Sequence, residues 1–357
     1  MSVTRFIFDH AADGTPVEGV TLTSPAGVSA TLIAHGARLV RLLAPDRAGT
    51  LSDVVLGFDR LSDYLESSAY FGATCGRYGN RIGGAAFTLD GVRHDLSVNE
   101  PPNHLHGGAD GFDRRLWAMA VEEAENAVTF TLRSPDGDQG YPGELLAQTC
   151  YRLTADGTLD IRMTATTDAP TMVNLVHHSY WNLAGHAAGD VRDHRLTVLG
   201  GAITPVDDGL IPTGARLSVD GTPFDLRDGP LLADALDALG GTVGGGTVGG
   251  GTTGFDHNWC LDGGTEDVRL VARLDHPPTG RRLELLSDQP GLQVYTGGYL
   301  SAAIIGKNDQ PYRPFAGIAL ETQRFPNSPN IGDFPSARLE PGRRYEHRME
   351  LRVTAGA

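Results

Sequence analysis

Glu321 closes an apolar run and stands directly ahead of a proline-broken turn, in Ala319-Leu320-Glu321-Thr322-Gln323-Arg324-Phe325-Pro326-Asn327. A carboxylate at a strand end, where a rigid scaffold meets a loop, is well placed to move a proton, although a glutamate in that setting also serves as a plain solvated edge residue. Four further polar clusters accompany it. They are Gly76-Arg77-Tyr78-Gly79-Asn80-Arg81-Ile82, Asn103-His104-Leu105-His106-Gly107-Gly108, Asn174-Leu175-Val176-His177-His178-Ser179-Tyr180-Trp181-Asn182-Leu183 and Gly254-Phe255-Asp256-His257-Asn258. The histidines admit three readings. His104 and His106 fall on one face of a strand, a spacing that can bind zinc with help from His177 or His178, but no acidic or cysteine ligand stands beside either pair. They also suit a hydrogen-bonded polar core, or proton donation and hydrogen bonding to a ligand, which a pKa near 6.5 permits. Asn80, Arg81, Asp256 and Gln293 are planar, multiply hydrogen-bonding groups of the kind that grip vicinal hydroxyls. Trp181, Tyr180, Phe112 and Tyr295 are candidates for an apolar wall against a sugar ring, or for ordinary core packing.

Other chemistries find no support. The run Gly76-x-x-Gly79-x-x-x-Gly83-Gly84 lacks the spacing of a dinucleotide loop, and Gly306-Lys307-Asn308 lacks the hydroxyl residue of a phosphate loop. No G-x-S-x-G elbow occurs, so a serine hydrolase is unsupported. Cys75, Cys150 and Cys260 are odd in number and far apart, which argues against a disulfide framework or a zinc knuckle and for buried thiols. Forty-four acidic against 29 basic residues give a formal charge of −15, which disfavours nucleic acid and anionic membrane as partners. The first ten residues hold too short an apolar run for a signal peptide, and no stretch approaches the roughly 20 apolar residues of a membrane span. The expectation is a cytoplasmic protein, monomer or homodimer, that takes a small neutral molecule.

The elements that must position these residues are strands. Glycine and proline punctuate the chain at short intervals, with alternating apolar and polar residues between them. Phe87 and Leu89, then Asp90-Gly91, then Val92, His94, Leu96 and Val98 predict a hairpin with a type I′ turn. Tyr151 and Leu153, then Ala155-Asp156-Gly157, then Leu159, Ile161 and Met163 predict another. From Tyr345 to Val353 apolar and charged residues alternate without a break. Helical pattern is thin and best over Leu231 to Leu239. Many short strands with turn signals give an all-β chain, a sandwich of large antiparallel sheets. The run from Gly240 to Gly254, built on Gly-Thr-Val-Gly-Gly, reads as a mobile loop and not as a domain linker, so residues 1–357 are expected to form a single domain.

The polar clusters, taken with Ser52-Asp53-Val54-Val55-Leu56-Gly57-Phe58, Tyr70-Phe71-Gly72, Ser134-Pro135-Asp136-Gly137-Asp138-Gln139-Gly140-Tyr141-Pro142-Gly143-Glu144 and Leu339-Glu340-Pro341-Gly342-Arg343-Arg344-Tyr345, resemble the aldose 1-epimerase or galactose mutarotase family over nearly the whole chain. The resemblance implies a β-supersandwich and interconversion of the α and β anomers of free aldoses such as galactose and glucose, without cofactor or metal. It implies that Glu321 is the base that takes the proton of the anomeric hydroxyl and that His178 is the acid toward the ring oxygen. His106 would hydrogen-bond near the ring oxygen and the anomeric centre. Asn80, Arg81, Asp256 and Gln293 would hold the remaining hydroxyls. The chain departs from the family's usual Asn-His-Ser-Tyr-Phe with His177-His178-Ser179-Tyr180-Trp181, which leaves two adjacent imidazoles as candidates for the acid.

Overall fold

Alternation decides the architecture because successive side chains of a strand point to opposite faces of its sheet. In the closing strand, Tyr345–Ala355, the residues Tyr345, His347, Met349, Leu351 and Val353 are buried while those between them are half-buried or exposed. This strand lies near the middle of an eight-stranded sheet, paired antiparallel with Thr158–Thr167 on one side and Arg281–Ser287 on the other. The computed structural model describes residues 1–240 and 254–356. Most of the glycine-rich run expected as a loop falls on 241–253 and so lies outside the described residues.

Two more sheets complete the framework among the described residues. Five strands within Ser2–Asp53 form an N-terminal sheet in sequential order. A six-stranded sheet runs Tyr180–Trp181, Ile318–Gln323, Gly291–Tyr295, Asp256–Cys260, Ala202–Thr204, Leu217–Ser218. The two expected hairpins are present: Ala86–Leu89 pairs with Val92–Asp95, and Leu145–Leu153 with Thr158–Thr167. Asp90 and Gly91 both take positive φ, 51° and 80°, as a type I′ turn requires. The expected helix is Leu232–Leu239, and a second, Leu61–Glu66, was not anticipated. No helix among the described residues is long and apolar enough to cross a membrane.

One core cluster extends from Val20 to Val353 and fills the space between the large sheets. Met349, Leu351, Leu283 and Leu285 enter it from the eight-stranded sheet; Trp259, Leu292, Val294, Ile318 and Leu320 enter it from the six-stranded one. Fixing one face of the six-stranded sheet to the core leaves the other face to Asp256, Asn258, Gln293, Tyr295, Glu321 and Gln323. Register then aligns these groups. Glu321 is directly opposite Gln293, Gln293 is opposite Asn258, and Asp256 is opposite Tyr295. A row of polar side chains therefore crosses the sheet with its back to the apolar core.

Candidate active site

Glu321 sits inside the strand Ile318–Gln323, three residues before the turn begins, and its side chain is only 2% exposed. Facing it across a cleft of roughly 210 Å³ are His178, His106, Asn80 and Arg81. His178 ends the short strand Val176–His178, which pairs with Ala73–Cys75. Its Nε2 lies 3.4 Å from Glu321 Oε1. His177, one residue earlier, points the other way by strand alternation. Its ring nitrogens bond the hydroxyls of Tyr151 (3.2 Å) and Ser179 (2.8 Å), away from the cleft. Of the two adjacent imidazoles, His178 is thus the one that meets the carboxylate. His104 is likewise occupied elsewhere, by Ser97 O (2.7 Å) and the Tyr141 hydroxyl (2.8 Å).

His106 and Asn80 hold each other. Both adopt left-handed backbone, φ 50° and 65°, at the edges of the two-residue ladder between Arg81–Ile82 and His104–Leu105. Asparagine and histidine tolerate that conformation better than most side chains. The Asn80 backbone N–H donates to His106 Nδ1 at 3.1 Å, and the His106 N–H donates to Asn80 O at 3.1 Å. Because Nδ1 accepts, the neutral ring carries its proton on Nε2, which makes His106 a fixed donor. That tautomer has a further consequence. His106, His178 and Glu321 lie close enough together to suggest a metal site, but a metal at His106 Nε2 would require the proton on Nδ1, where the Asn80 N–H already points. The second such grouping, Asp193, His194 and His276, fails on the same test, since His194 Nε2 accepts the Leu183 N–H at 2.9 Å and the ring must keep its proton on Nδ1.

Arg81 is clamped in two-pronged fashion by Glu100, with contacts of 2.7 and 2.8 Å, and its other terminal nitrogen lies 3.8 Å from Asp256 Oδ2. Gln293 does not line the cleft. Its amide donates to Asp256 Oδ1 at 2.7 Å and its carbonyl oxygen accepts from Gln323 at 3.4 Å. The residue therefore braces Asp256. Tyr180 and Tyr295 line the cleft, whereas Trp181 and Phe112 belong to the main core, so the apolar wall is only half as expected. Tyr70 supplies another part of it, with its ring 4.5 Å from His106 and 5.7 Å from His178. On its opposite side His178 stacks on Tyr180 at 5.1 Å. Sequence reasoning missed Tyr70, Glu100 and Tyr299 as cleft residues. Tyr70 opens the motif Tyr70-Phe71-Gly72 and Glu100 lies three residues before Asn103, but neither position carries a local signal that would place it in the cleft.

Enclosure by aromatic rings governs the electrostatics. Burial, followed by the charge of Asp256, pushes the Glu321 carboxyl well above the usual carboxylate range, against the opposing pull of Arg81. Burial pushes His178 down to about 3. His106 is driven well below its ordinary value by burial and then by His178. The favoured state is therefore a protonated carboxyl facing a neutral imidazole, not the ion pair that the distance alone suggests. Glu321 Oε2 and His178 Nδ1 are buried without a hydrogen-bond partner among the described residues. Such orphaned polar atoms cost stability and are concentrated where chemistry needs them.

The chain matches the model of the aldose 1-epimerase family over residues 18–352. It is 42% identical to the galactose mutarotases of Bos taurus and of Homo sapiens, each alignment covering 97% of both chains. It is 35% identical to the aldose 1-epimerase of Escherichia coli K12 over the same share. Among solved structures, an aldose epimerase homologue from C. elegans superposes with a TM-score of 0.85 at 29% identity, covering 94% of this chain and 98% of its own. The galactose 1-epimerase of Lactobacillus acidophilus gives 0.84 at 25% identity over the full length of both. A match that spans the sandwich and every strand feeding the cleft places this chain in the aldose 1-epimerase family, whose members are carbohydrate isomerases.

Proposed function

We propose that this chain interconverts the α and β anomers of free aldoses, galactose and glucose among them, by opening and reclosing the sugar ring with Glu321 and His178 as the proton-transfer pair. The observation that carries this reading is their 3.4 Å separation in an enclosed polar cleft. A hemiacetal carbon bears both its oxygens on one atom, so an acid and a base that serve the two must themselves lie close together. Glu321 takes the proton of the anomeric hydroxyl as His178 gives one to the ring oxygen; C1–O5 breaks, and the open-chain aldehyde forms. Rotation about C1–C2 presents the other face, and closure runs the transfers backwards. His106, with its proton on Nε2, donates a hydrogen bond near the reacting oxygens. Asn80, Arg81 and Asp256 hold the other hydroxyls, Gln293 fixes Asp256, and Glu100 fixes Arg81.

The protonation preference of the site fits a reaction that must run both ways. A protonated Glu321 facing neutral His178 holds as many protons as the ion pair does, and it is the state that ring opening leaves behind. Hydrogen bonds from sugar hydroxyls to the bare Glu321 oxygen favour the charged form when the ring is closed. Acid and base are each worth about 10²–10⁴-fold. Among the described residues the other carboxylates of the cleft, Asp256 and Glu100, are engaged by Gln293 and Arg81, which speaks against the two opposed, independent carboxylates that glycoside hydrolysis requires. Polarimetry on freshly dissolved α-galactose and α-glucose tests the proposal: the enzyme should hasten the approach to anomeric equilibrium, and an unchanged rate above the buffer background refutes it.

A further inference from the structure

Behind the six-stranded sheet, where the strand of Glu321 ends, lies an open cavity of about 560 Å³ that shares no lining residue with the cleft. Five arginines surround it: Arg324, Arg338, Arg343, Arg344 and Arg348. A chain of formal charge −15 has no general surplus of cations, so this concentration is local. Three carboxylates share the cavity, and each is already engaged. Asp288 accepts from the Arg348 backbone N–H (3.0 Å) and Nε (3.1 Å), Glu340 is bound by Arg338, and Glu346 lies 2.9 Å from Arg162. Arg324, Arg343 and Arg344 pair with no carboxylate among the described residues.

Two backbone features set where these three side chains start. The backbone N–H of Arg324 donates to Asn174 Oδ1 at 2.9 Å, which anchors the residue at the rim of the sheet. Arg343 and Arg344 follow Gly342, whose φ of 75° turns the chain sharply into the strand Tyr345–Ala355, and the Arg343 N–H closes that turn on Glu340 O at 3.0 Å. Unpaired guanidiniums delivered from two chain segments to one concavity present several forked donors to a single anion, the arrangement that suits a tetrahedral oxyanion.

We propose that this cavity is a binding site for a doubly charged phosphate group, whether free phosphate or a phosphomonoester, separate from the sugar cleft. The test is calorimetric titration of the full-length protein at pH 7.5 in low-chloride buffer, with galactose saturating the cleft so that Arg81 is not the receptor. Inorganic phosphate and glycerol 3-phosphate are the two probes. Saturable binding is expected, weakening as salt screens the charges and falling at least about tenfold in R324Q/R343Q/R344Q. The exposed-turn variant R343Q/R344Q, which leaves the sheet rim untouched, should lose part of the affinity, and mutarotation of galactose in both variants reports that the fold is intact. Equal affinity for the probes identifies the free ion as the ligand; tighter glycerol 3-phosphate identifies a phosphomonoester whose organic part contacts the remaining wall. No saturable binding of either probe up to about 10 mM, a very weak interaction, or binding that survives both variants, overturns the proposal.

Discussion

Replacing Glu321 by glutamine should make the protein a worse catalyst and a more stable molecule at once. The side chain is 2% exposed, its Oε2 has no hydrogen-bond partner among the described residues, and Asp256 adds a repulsive charge. Leaving a buried polar atom unpaired costs about 1–3 kcal/mol, and a charged one costs more. Linkage gives this cost a pH signature. The folded pKa lies above the unfolded one, about 4.3, so the carboxyl's contribution is fully present below that value and is lost as pH rises toward the folded pKa. Each pH unit in that window costs the parent about 1.4 kcal/mol, whereas glutamine, which does not titrate, loses nothing. The variant should match the parent near pH 4 and exceed it by a margin that grows by about 1.4 kcal/mol per pH unit until the folded pKa is passed. At roughly 2 °C per kcal/mol for a chain of this size, the Tm difference should widen by about 3 °C for each pH unit of that window. Differential scanning fluorimetry at several pH values reads the trend, and polarimetry on the same samples should give kcat at least about 100-fold lower with little change in KM. An E321Q protein less stable than the parent at pH 8, or equally active, refutes the reasoning.

His178→Asn should lower kcat by at least about 100-fold while leaving KM within a few-fold, and near-normal turnover removes His178 from the proton-transfer pair. Because His178 is pushed to about 3 and Glu321 is raised, the single proton of the pair sits on the carboxyl and is lost at the raised Glu321 value, not at that of an ordinary histidine. The profile of kcat/KM should therefore show no acid-side loss centred near pH 6.5. It should fall on the acid side only as the pair gains a second proton, and on the alkaline side as it loses its last; an acid-side inflection centred near 6.5 contradicts this protonation scheme. Gln293→Leu frees Asp256 from its brace, so KM for galactose should rise by about 10-fold or more, with a smaller change in kcat, since a neutral hydrogen bond to a charged group is worth about 1.5–3 kcal/mol. An unchanged KM removes the bracing role from Gln293.

Period-two alternation carries most of what the sequence reveals about this fold. It locates the strand Tyr345–Ala355, and the Asp90-Gly91 pair fixes a hairpin because two consecutive positive φ angles admit few other residues. The helix Leu61–Glu66 escapes notice, being six residues long, with no side-chain cap and too few turns to display a period. At the site, composition identifies groups that can bind a sugar, but facing direction comes only from the three-dimensional neighbours. Alternation says that His177 and His178 point opposite ways; the hydroxyls of Tyr151 and Ser179 decide which of them is spoken for. In the same way Gln293 is recognisable as a polar group on an apolar strand, yet its partner Asp256 belongs to the neighbouring strand and is 37 residues away. Trp181 and Phe112 have the chemistry of a sugar wall and sit in the core, because burial of large aromatic rings there removes more apolar surface from water.

Ring opening has a consequence that no displacement at the anomeric carbon shares: the exocyclic oxygen never leaves C1. Following α-glucose labelled with oxygen-18 at O1 by mass spectrometry, while polarimetry counts enzymatic turnovers, tests this most directly. Proton transfer by Glu321 and His178 predicts that the label is retained through many turnovers, lost only at the slow hydration rate of the free aldehyde. Loss of label in step with turnover contradicts it.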